Sequence, residues 1–226
     1  MTAVGRMGFR VLPAGPRLPA GTIARFNRLA SASVADAMGR FNFMDPGIRA
    51  RTRQRAAGPA LTVVCRPGDN LMVHKALALA SPGDVVVVTT GGNVTSAVFG
   101  ELMCESAVAA RLAALVVDGA VRDVEAIAAK GFAVFSRSVC PGGCDKDGPG
   151  EINVPVACGG VVVKPGDVVV GDGDGLAVVP YEQADTVLRA VDELLAREER
   201  RVAEIRGGQV FRPDVDELLR RKGVIE

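Results

Sequence analysis

A cation and two carboxylates stand close together in one short segment, Asp118-Gly119-Ala120-Val121-Arg122-Asp123. The segment follows the apolar run 114–117, which predicts a buried strand, and it leads into a stretch with helical spacing. Ligands of α/β sheets bind beyond the carboxyl ends of strands, where helix N-termini present free amides. Arg122 could hold a carboxylate or keto oxygen through its planar guanidinium, and Asp123 could ligate a hard divalent metal ion. A structural role fits equally well, with Asp123 capping the helix and Arg122 pairing on the surface.

A second segment of the same kind is Gly100-Glu101-Leu102-Met103, which follows the apolar run 84–90. Gly100 marks a place where the backbone comes close to another group. The following Ala-rich stretch predicts a helix, so the amides of Leu102 and Met103 would lie in its first turn, available to an anionic or keto oxygen. Glu101 could orient water there, or it could be only a favourable first-turn charge. Because both segments follow strands of one type, we expect the two helix N-termini to converge on one crevice.

Other chemistry-bearing residues favour structural roles. His74 is the only histidine, so a His-rich zinc site is excluded, and no partner that would orient it as a base is identifiable. The spacing of Cys140-Pro141-Gly142-Gly143-Cys144 is too loose for a thioredoxin-type motif, and a second Cys/His pair for zinc is lacking. Gly171-Asp172-Gly173-Asp174-Gly175 predicts a tight hairpin connection in preference to a calcium or phosphate loop. Neither a dinucleotide-binding glycine motif nor a Walker A sequence occurs.

Composition limits the classes of function. The 226 residues predict one domain, 1–226, with 48% hydrophobic and 23% charged residues. Lys and Arg number 27 against 26 Asp and Glu, so no general nucleic-acid or membrane partner is expected. Five cysteines, an odd number in a chain too long to need disulfides, favour reduced thiols and a cytoplasmic location. No signal peptide is predicted, because residues 1–21 carry scattered Arg, Gly and Pro and no continuous apolar stretch. No membrane span is predicted, because no apolar run approaches about 18 residues.

The apolar pattern predicts an α/β domain with helices packed outside β-rich layers. Predicted strands cover 60–65, 84–90, 114–118 and 132–135, with further β signal over 154–180. Predicted helices cover 70–80, 100–112, 122–130 and about 214–221, besides two short helices over 22–38 that are interrupted at 31–33. The proline-punctuated residues 1–20 predict an irregular N-terminal arm, and 181–206 predict one long amphipathic helix ended by two glycines.

Several motifs, in this order, resemble one family that contains the regulator of ribonuclease activity A and the class II pyruvate aldolases. The motifs are Ser33-Val34-Ala35-Asp36-Ala37-Met38-Gly39, Pro67-Gly68-Asp69-Asn70, Gly100-Glu101-Leu102-Met103, Val117-Asp118-Gly119-Ala120-Val121-Arg122-Asp123, Ile152-Asn153-Val154-Pro155 and Pro165-Gly166-Asp167-Val168-Val169-Val170-Gly171-Asp172. The resemblance runs from about residue 31 to 207. Those aldolases cleave 4-hydroxy-4-methyl-2-oxoglutarate and 4-carboxy-4-hydroxy-2-oxoadipate.

The resemblance implies a β/β/α swivelling-domain fold and a homotrimer, sometimes paired into a homohexamer, with active sites at subunit interfaces. It implies Mg²⁺ or Mn²⁺ ligated by Asp123, and Arg122 bound to the pyruvyl part of a small oxo-acid substrate. The segment Gly100 to Met103 would present backbone amides to that substrate, and Glu101 would act through metal-bound water. A glutamate from a neighbouring subunit's C-terminal helix completes such sites, and Glu198 is the best match, with Glu199 close behind.

The residues and the resemblance together predict a metal-dependent carbon–carbon lyase. Retro-aldol cleavage removes a proton from the C4 hydroxyl and releases a pyruvate enolate, whose charge a divalent metal stabilises. Oxaloacetate decarboxylation gives the same enolate and is expected as a second activity. The substrate's identity is not readable, because the groups that face its C4 substituents lie in loops such as 41–53.

Two other functions remain open. One is a non-catalytic binding protein of the ribonuclease-regulator kind, although such regulators typically lack the aspartate found here at 123. The other is a methyltransferase, which no Gly-rich adenosylmethionine loop supports.

Overall fold

Strands and helices alternate along most of the chain in the computed structural model, which describes residues 4–226. The strands are β1 (Val4–Arg6), β2 (Phe9–Val11), β3 (Arg49–Ala50), β4 (Ala56–Cys65), β5 (Val85–Thr89), β6 (Ala114–Val121), β7 (Ala133–Val139), β8 (Gly150–Ile152), β9 (Val156–Cys158), β10 (Val161–Val163), β11 (Val168–Asp172) and β12 (Gly175–Val179). The helices are α1 (Ala20–Phe26), α2 (Ser31–Ala37), α3 (Leu71–Leu79), α4 (Glu101–Ala109), α5 (Val124–Ala129), α6 (Ala184–Arg206) and α7 (Pro213–Arg221).

Four parallel strands form the centre of the main sheet. The order along that sheet is β1-β2-β8-β4-β5-β6-β7-β3, and β4 to β7 run parallel to one another. The first residues of β4 also pair with β11, which forms an antiparallel hairpin with β12. Consecutive parallel strands need crossovers, and α3, α4 and α5 supply them.

Alternate residues of the central strands face two different layers. Val86 and Val88 pack with α3, α4 and α5, whereas Val85 and Val87 pack with the β-rich layer that contains β9 to β12. Burial on both faces explains why these strands read as continuous apolar runs. The resulting β/β/α layering agrees with the predicted fold class. Besides these two groups of buried side chains, a third cluster packs α1, α2 and α6 against β11 and β12 and includes Phe26, Val34, Val170, Ala177 and Leu188.

The expectation of a wholly irregular N-terminal arm is wrong. β1 and β2 form a hairpin, and β2 runs parallel to β8, with Phe9 opposite Gly150. Gly8, at φ +85°, makes the turn, and its N–H donates to Glu151 Oε1 at 2.6 Å. Strands of three residues carry too little periodicity to be read from sequence, and their partner lies about 140 positions away.

The two expected N-terminal helices are present, but the break falls at residues 27–30 instead of 31–33. Ser31 begins α2, because its backbone N–H and its hydroxyl both donate to the carboxylate of Asp172. That carboxylate also accepts from the N–H of Asp174. The segment 171–175 is the predicted tight hairpin, in which Asp172 pairs with Gly175 and only two residues connect the strands.

The long C-terminal helix begins with a 3₁₀ turn, Tyr181–Gln183, and continues as α6. Its first half buries Ala184, Val187, Leu188 and Val191 against the third cluster, whereas most residues beyond Val191 are exposed. Gly207 and Gly208 end it, the latter at φ +99°. Within residues 4–226, every helix is too short or too polar to traverse a bilayer.

Candidate functional site

A β-bulge near the end of β6 determines where Arg122 and Asp123 lie. The strand does not stop at Asp118, as the sequence predicted, but continues to Val121 after a register shift between Val117 and Ala120. A Cβ on Gly119 would lie 2.5 Å from Thr90 Oγ1, so glycine is required inside the bulge. The carboxylate of Asp118 accepts hydrogen bonds from Arg137 Nε at 2.6 Å and from Gly159 N at 2.8 Å, not from the segment that contains Arg122 and Asp123. Asp118 therefore has a structural role.

Asp123 occupies the N-cap position of α5 in the left-handed conformation, at φ 57° and ψ 35°. Within the described chain its side chain caps no amide of α5. Oδ2 accepts instead from the backbone N–H of Glu101 at 3.0 Å and lies 3.5 Å from Arg122 Nε. The carboxylate is thus turned away from its own helix and towards the start of α4. Aspartate adopts the left-handed backbone conformation found here more readily than most residues do.

Gly100 lets these two segments approach each other. Its backbone is extended, at φ −150°, so no special torsion requires glycine. Space does, because a Cβ at this position would lie 2.6 Å from Asp123 Oδ2 and 3.1 Å from Arg122 Cγ. The close approach predicted at Gly100 is therefore confirmed, and its partner is the carboxylate expected to hold a metal ion.

A cavity of about 360 Å³ lies where the N-termini of α4 and α5 converge. The residues singled out from sequence line it together: Gly100, Glu101, Leu102, Met103, Arg122 and Asp123. The predicted convergence of two helix N-termini is thus present in the fold. The apolar side chain of Leu102 is 84% exposed and offers no group that binds an anion. The backbone amides in the first turn of α4 are the groups that suit a bound anion.

Glu101 is held by a lysine that the sequence did not single out. Lys130 follows the last residue of α5, and its Nζ lies 3.1 Å from Glu101 Oε1 and 2.6 Å from Glu105 Oε1. Hydrogen bonds to Glu105 and then to Glu101 raise the pKa of Lys130. Two acidic residues one turn apart on α4 therefore share one cation from α5.

A second part of the cavity wall consists of residues that sequence reasoning missed or set aside, namely Asn70, His74, Cys144 and Lys146. Asn70 is 7% exposed and donates to Val98 O at 3.2 Å, while its Oδ1 has no hydrogen-bond partner among residues 4–226. His74 was expected to be an ordinary helix residue. Burial, and secondarily the charge of Lys146, lowers its pKa, which favours neutral imidazole near pH 7.

A fully buried carboxylate, Asp69, ties the two parts of this wall together. Its Oδ1 accepts from the N–H of Leu71 at the start of α3, and its Oδ2 accepts from Asp147 and Gly148 at 2.7 and 2.8 Å. Burial alone would raise the pKa of Asp69, but these donors bring it below its ordinary value. The Pro67-Gly68-Asp69-Asn70 motif was the available signal for this wall, whereas Lys146 lies in a loop without periodicity.

Glu198, Glu199 and the loop 41–53 are not part of this cavity within the chain. Both glutamates lie on the exposed outer half of α6. The loop packs beside β12, where Met44 N donates to Leu176 O. Among residues 4–226 no group of three or more His, Cys, Asp or Glu residues could hold a metal ion, so the described residues do not by themselves supply three such ligands to one ion.

Comparison with known proteins gives consistent results. Residues 31–178 match a family model described as RraA-like, Aldolase/RraA. A Halalkalibacterium halodurans protein named "Putative 4-hydroxy-4-methyl-2-oxoglutarate aldolase" is 38% identical over 180 residues, which cover 79% of this chain and 86% of that protein.

Solved structures share the fold. An uncharacterized Pseudomonas syringae protein superposes with a TM-score of 0.78 at 26% identity, covering 87% of this chain and 94% of its own. Streptomyces coelicolor RraAS2 is described as an unusual member of the RNase ES inhibitor RraA family. It superposes with a TM-score of 0.74 at 27% identity, and the match covers 84% of this chain and 98% of RraAS2.

Proposed function

The chain belongs to the RraA-like family of aldolases and RraA proteins, and we propose on that basis that it is a divalent-metal-dependent lyase. Its substrate is a 4-hydroxy-2-oxo acid of the 4-hydroxy-4-methyl-2-oxoglutarate or 4-carboxy-4-hydroxy-2-oxoadipate type, from which it releases pyruvate. One observation carries the proposal: the Asp123 carboxylate, the Arg122 guanidinium and the first-turn amides of α4 line a single cavity. The name of the Halalkalibacterium halodurans relative supports the same reaction class.

Asp123 fits a hard divalent cation such as Mg²⁺ or Mn²⁺. Its side chain is about two-fifths exposed and lines the cavity, and a carboxylate oxygen is the ligand type that these ions prefer. The N–H of Glu101 fixes one carboxylate oxygen, which orients the group. A metal ion bound there supplies a positive charge that stabilises developing negative charge on the substrate's oxygens.

The other residues act on the substrate directly. Arg122 binds the carboxylate or keto oxygen of the pyruvyl part through its planar fork, and the amides of Leu102 and Met103 donate to the oxygens beside it. Glu101 receives the C4 hydroxyl proton through a water molecule. The C3–C4 bond then breaks, its electrons pass into the pyruvate enolate, and the C4 fragment leaves as a carbonyl compound. Decarboxylation of oxaloacetate gives the same enolate and is the expected second activity.

A coupled pyruvate-release assay over a small panel of oxo acids, with and without EDTA, tests this function. We expect release that EDTA abolishes and that Mg²⁺ or Mn²⁺ restores. A non-catalytic regulator of the RraA kind is the second candidate, favoured by the structural likeness to RraAS2. Absence of pyruvate release from every acid of the panel, with either metal present, would support that candidate instead.

Arg122→Lys should weaken the reaction of every substrate. Lysine keeps the positive charge but loses the planar fork that binds a carboxylate with two parallel bonds. A charge-assisted hydrogen bond contributes roughly 1.5–3 kcal/mol, so kcat/KM should fall about tenfold or more. The matched control is Arg189→Lys on the exposed face of α6, which should leave kcat/KM unchanged. A loss confined to substrates with one kind of C4 substituent would contradict this role.

We propose further that the site is shared between subunits of a homotrimer or homohexamer, with Glu198, or Glu199 beside it, supplied by a neighbour. The outer half of α6 supports this, because it extends beyond the third cluster with its glutamates exposed. A glutamate there could orient water in the cavity of an adjacent copy.

Mixing inactive Asp123→Ala subunits with inactive Glu198→Ala subunits should restore turnover, because one kind of hybrid site regains both carboxylates. The experiment uses two affinity tags to isolate mixed oligomers before the pyruvate assay. Asp123→Ala mixed with Arg122→Ala is the control and should restore nothing, because both residues come from the same subunit. Verified mixed oligomers of the first pair without any turnover would overturn the shared site.

A further inference from the structure

We propose that Lys130 is a positioning residue for Glu101, and this inference rests on the proposed function, in which Glu101 handles the C4 hydroxyl proton. Lys130 does not line the cavity itself. It reaches Glu101 Oε1 at 3.1 Å with a side chain that is only 21% exposed. Its effect on the reaction must therefore pass through Glu101.

Both ends of α5 contact α4. At the N-terminal end, the carboxylate of Asp123 accepts from the first amide of α4, and at the C-terminal end the ammonium of Lys130 binds two carboxylates of α4. Because α5 has only six residues, and Asp123 and Lys130 flank it directly, these two contacts are about two helical turns apart. Glu101 is bound at its backbone by one end and at its side chain by the other. This arrangement fixes the metal-binding candidate and the proton-handling candidate relative to each other.

Lys130 contacts two carboxylates, and the contact with the more distant one favours a functional role for the lysine. Glu105 is the closer partner, at 2.6 Å, and its carboxylate suffices for an ordinary helix–helix ion pair. The additional contact is with Oε1 of Glu101, which lines the cavity, whereas Glu105 does not. Both carboxylates are about half exposed, and ion pairs with such groups contribute little to folding, so loss of the lysine should affect turnover more than stability.

Three variants separate positioning from packing. Lys130→Met should lower kcat by about tenfold or more, because a misplaced proton acceptor transfers protons poorly, while KM stays within about twofold. Lys130→Arg keeps a cation at this place and should recover part of the loss. Glu105→Gln removes the closer partner but leaves the lysine on Glu101, so its kcat should stay within about twofold of the unmodified protein's. Thermal melting of all three variants checks that they remain folded.

A double variant supplies the decisive comparison. In a Glu101→Gln background, Lys130→Met should cause no further loss of kcat, because the group that it positions is already absent. Independent losses that multiply, an unchanged or raised kcat in Lys130→Met, or an equal loss in Glu105→Gln would each overturn the inference.

Crystal structures of the variants distinguish failure of this inference from failure of the proposed function. The Glu101 carboxylate should change rotamer in Lys130→Met and keep its rotamer in Glu105→Gln, whatever reaction the protein catalyses. If the unmodified protein releases no pyruvate from the oxo-acid panel, the proposed function fails, and the inference fails with it as a statement about catalysis. An unmoved Glu101 in Lys130→Met overturns the positioning itself.

Discussion

Asp123→Asn should lose metal binding and turnover together while the protein remains folded. Asparagine has nearly the same shape, tolerates the left-handed conformation observed at this position, and keeps an oxygen that can accept from Glu101 N–H. It lacks the negative charge that a divalent cation requires. We expect kcat/KM to fall by about 10²-fold or more, the size typical of removing one strong electrostatic group from an active site.

Isothermal titration with Mn²⁺ and the pyruvate assay measure the two losses separately. Asp174→Asn, in the exposed two-residue connection between β11 and β12, is the matched control and should alter neither. Asp123→Ala makes the same test without the amide oxygen, although alanine tolerates the left-handed conformation less well. Unimpaired turnover by Asp123→Asn in metal-limited buffer would remove Asp123 from the mechanism.

Glu101→Gln should lose most of kcat yet keep metal and substrate binding. The substitution leaves the backbone N–H that binds Asp123 and the start of α4 unchanged, since only the side chain differs. Glutamine cannot accept a proton, so the loss of kcat should be about 10²-fold, within the range for a general base. Substrate binding by Arg122 and the amides of α4 should be preserved, so KM should stay within about threefold.

The control for Glu101→Gln is Glu105→Gln, which removes the same charge one turn later on α4, outside the cavity lining. Steady-state kinetics with saturating Mg²⁺ and a melting curve for each variant complete the comparison. An equal loss of kcat in the two variants would show that the reaction depends on the total negative charge of α4 and not on a carboxylate at position 101.

The parallel core and the meeting of the two helix N-termini could be predicted because both follow from local regularities. Continuous valine runs indicate strands buried on both faces, and 85–89 and 114–117 lie in β5 and β6 as expected. Parallel neighbours end at the same edge of the sheet, so the segments after them had to lie close together. The roles of Glu101, Arg122 and Asp123 in that cavity remain predictions.

The remaining parts of the site depend on long-range contacts that leave no local pattern. The bulge at Asp118 and Gly119 is defined by pairing with β7, and Lys130 reaches Glu101 from 29 positions away. Asn70 and Lys146 join the cavity through Asp69, whose hydrogen bonds to Asp147 and Gly148 span nearly 80 positions. A motif such as Pro67-Gly68-Asp69-Asn70 can mark one member of such a pair, but residues so far apart share no periodicity that would identify the partner.

The β1–β2 hairpin has a consequence for how the protein behaves in concentrated solution. β8 pairs with β4 on one side and with β2 on the other, so residues 9–11 cover a strand edge that would otherwise be open. An uncovered edge is a template for pairing with another chain and hence for aggregation. β2 also brings Arg10 to Glu151, at 2.8 Å, so its removal would leave that carboxylate without its cation. The N-terminal hairpin therefore makes the three-residue strand β1 the end of the sheet, and such short edge strands are poor templates for pairing with another chain.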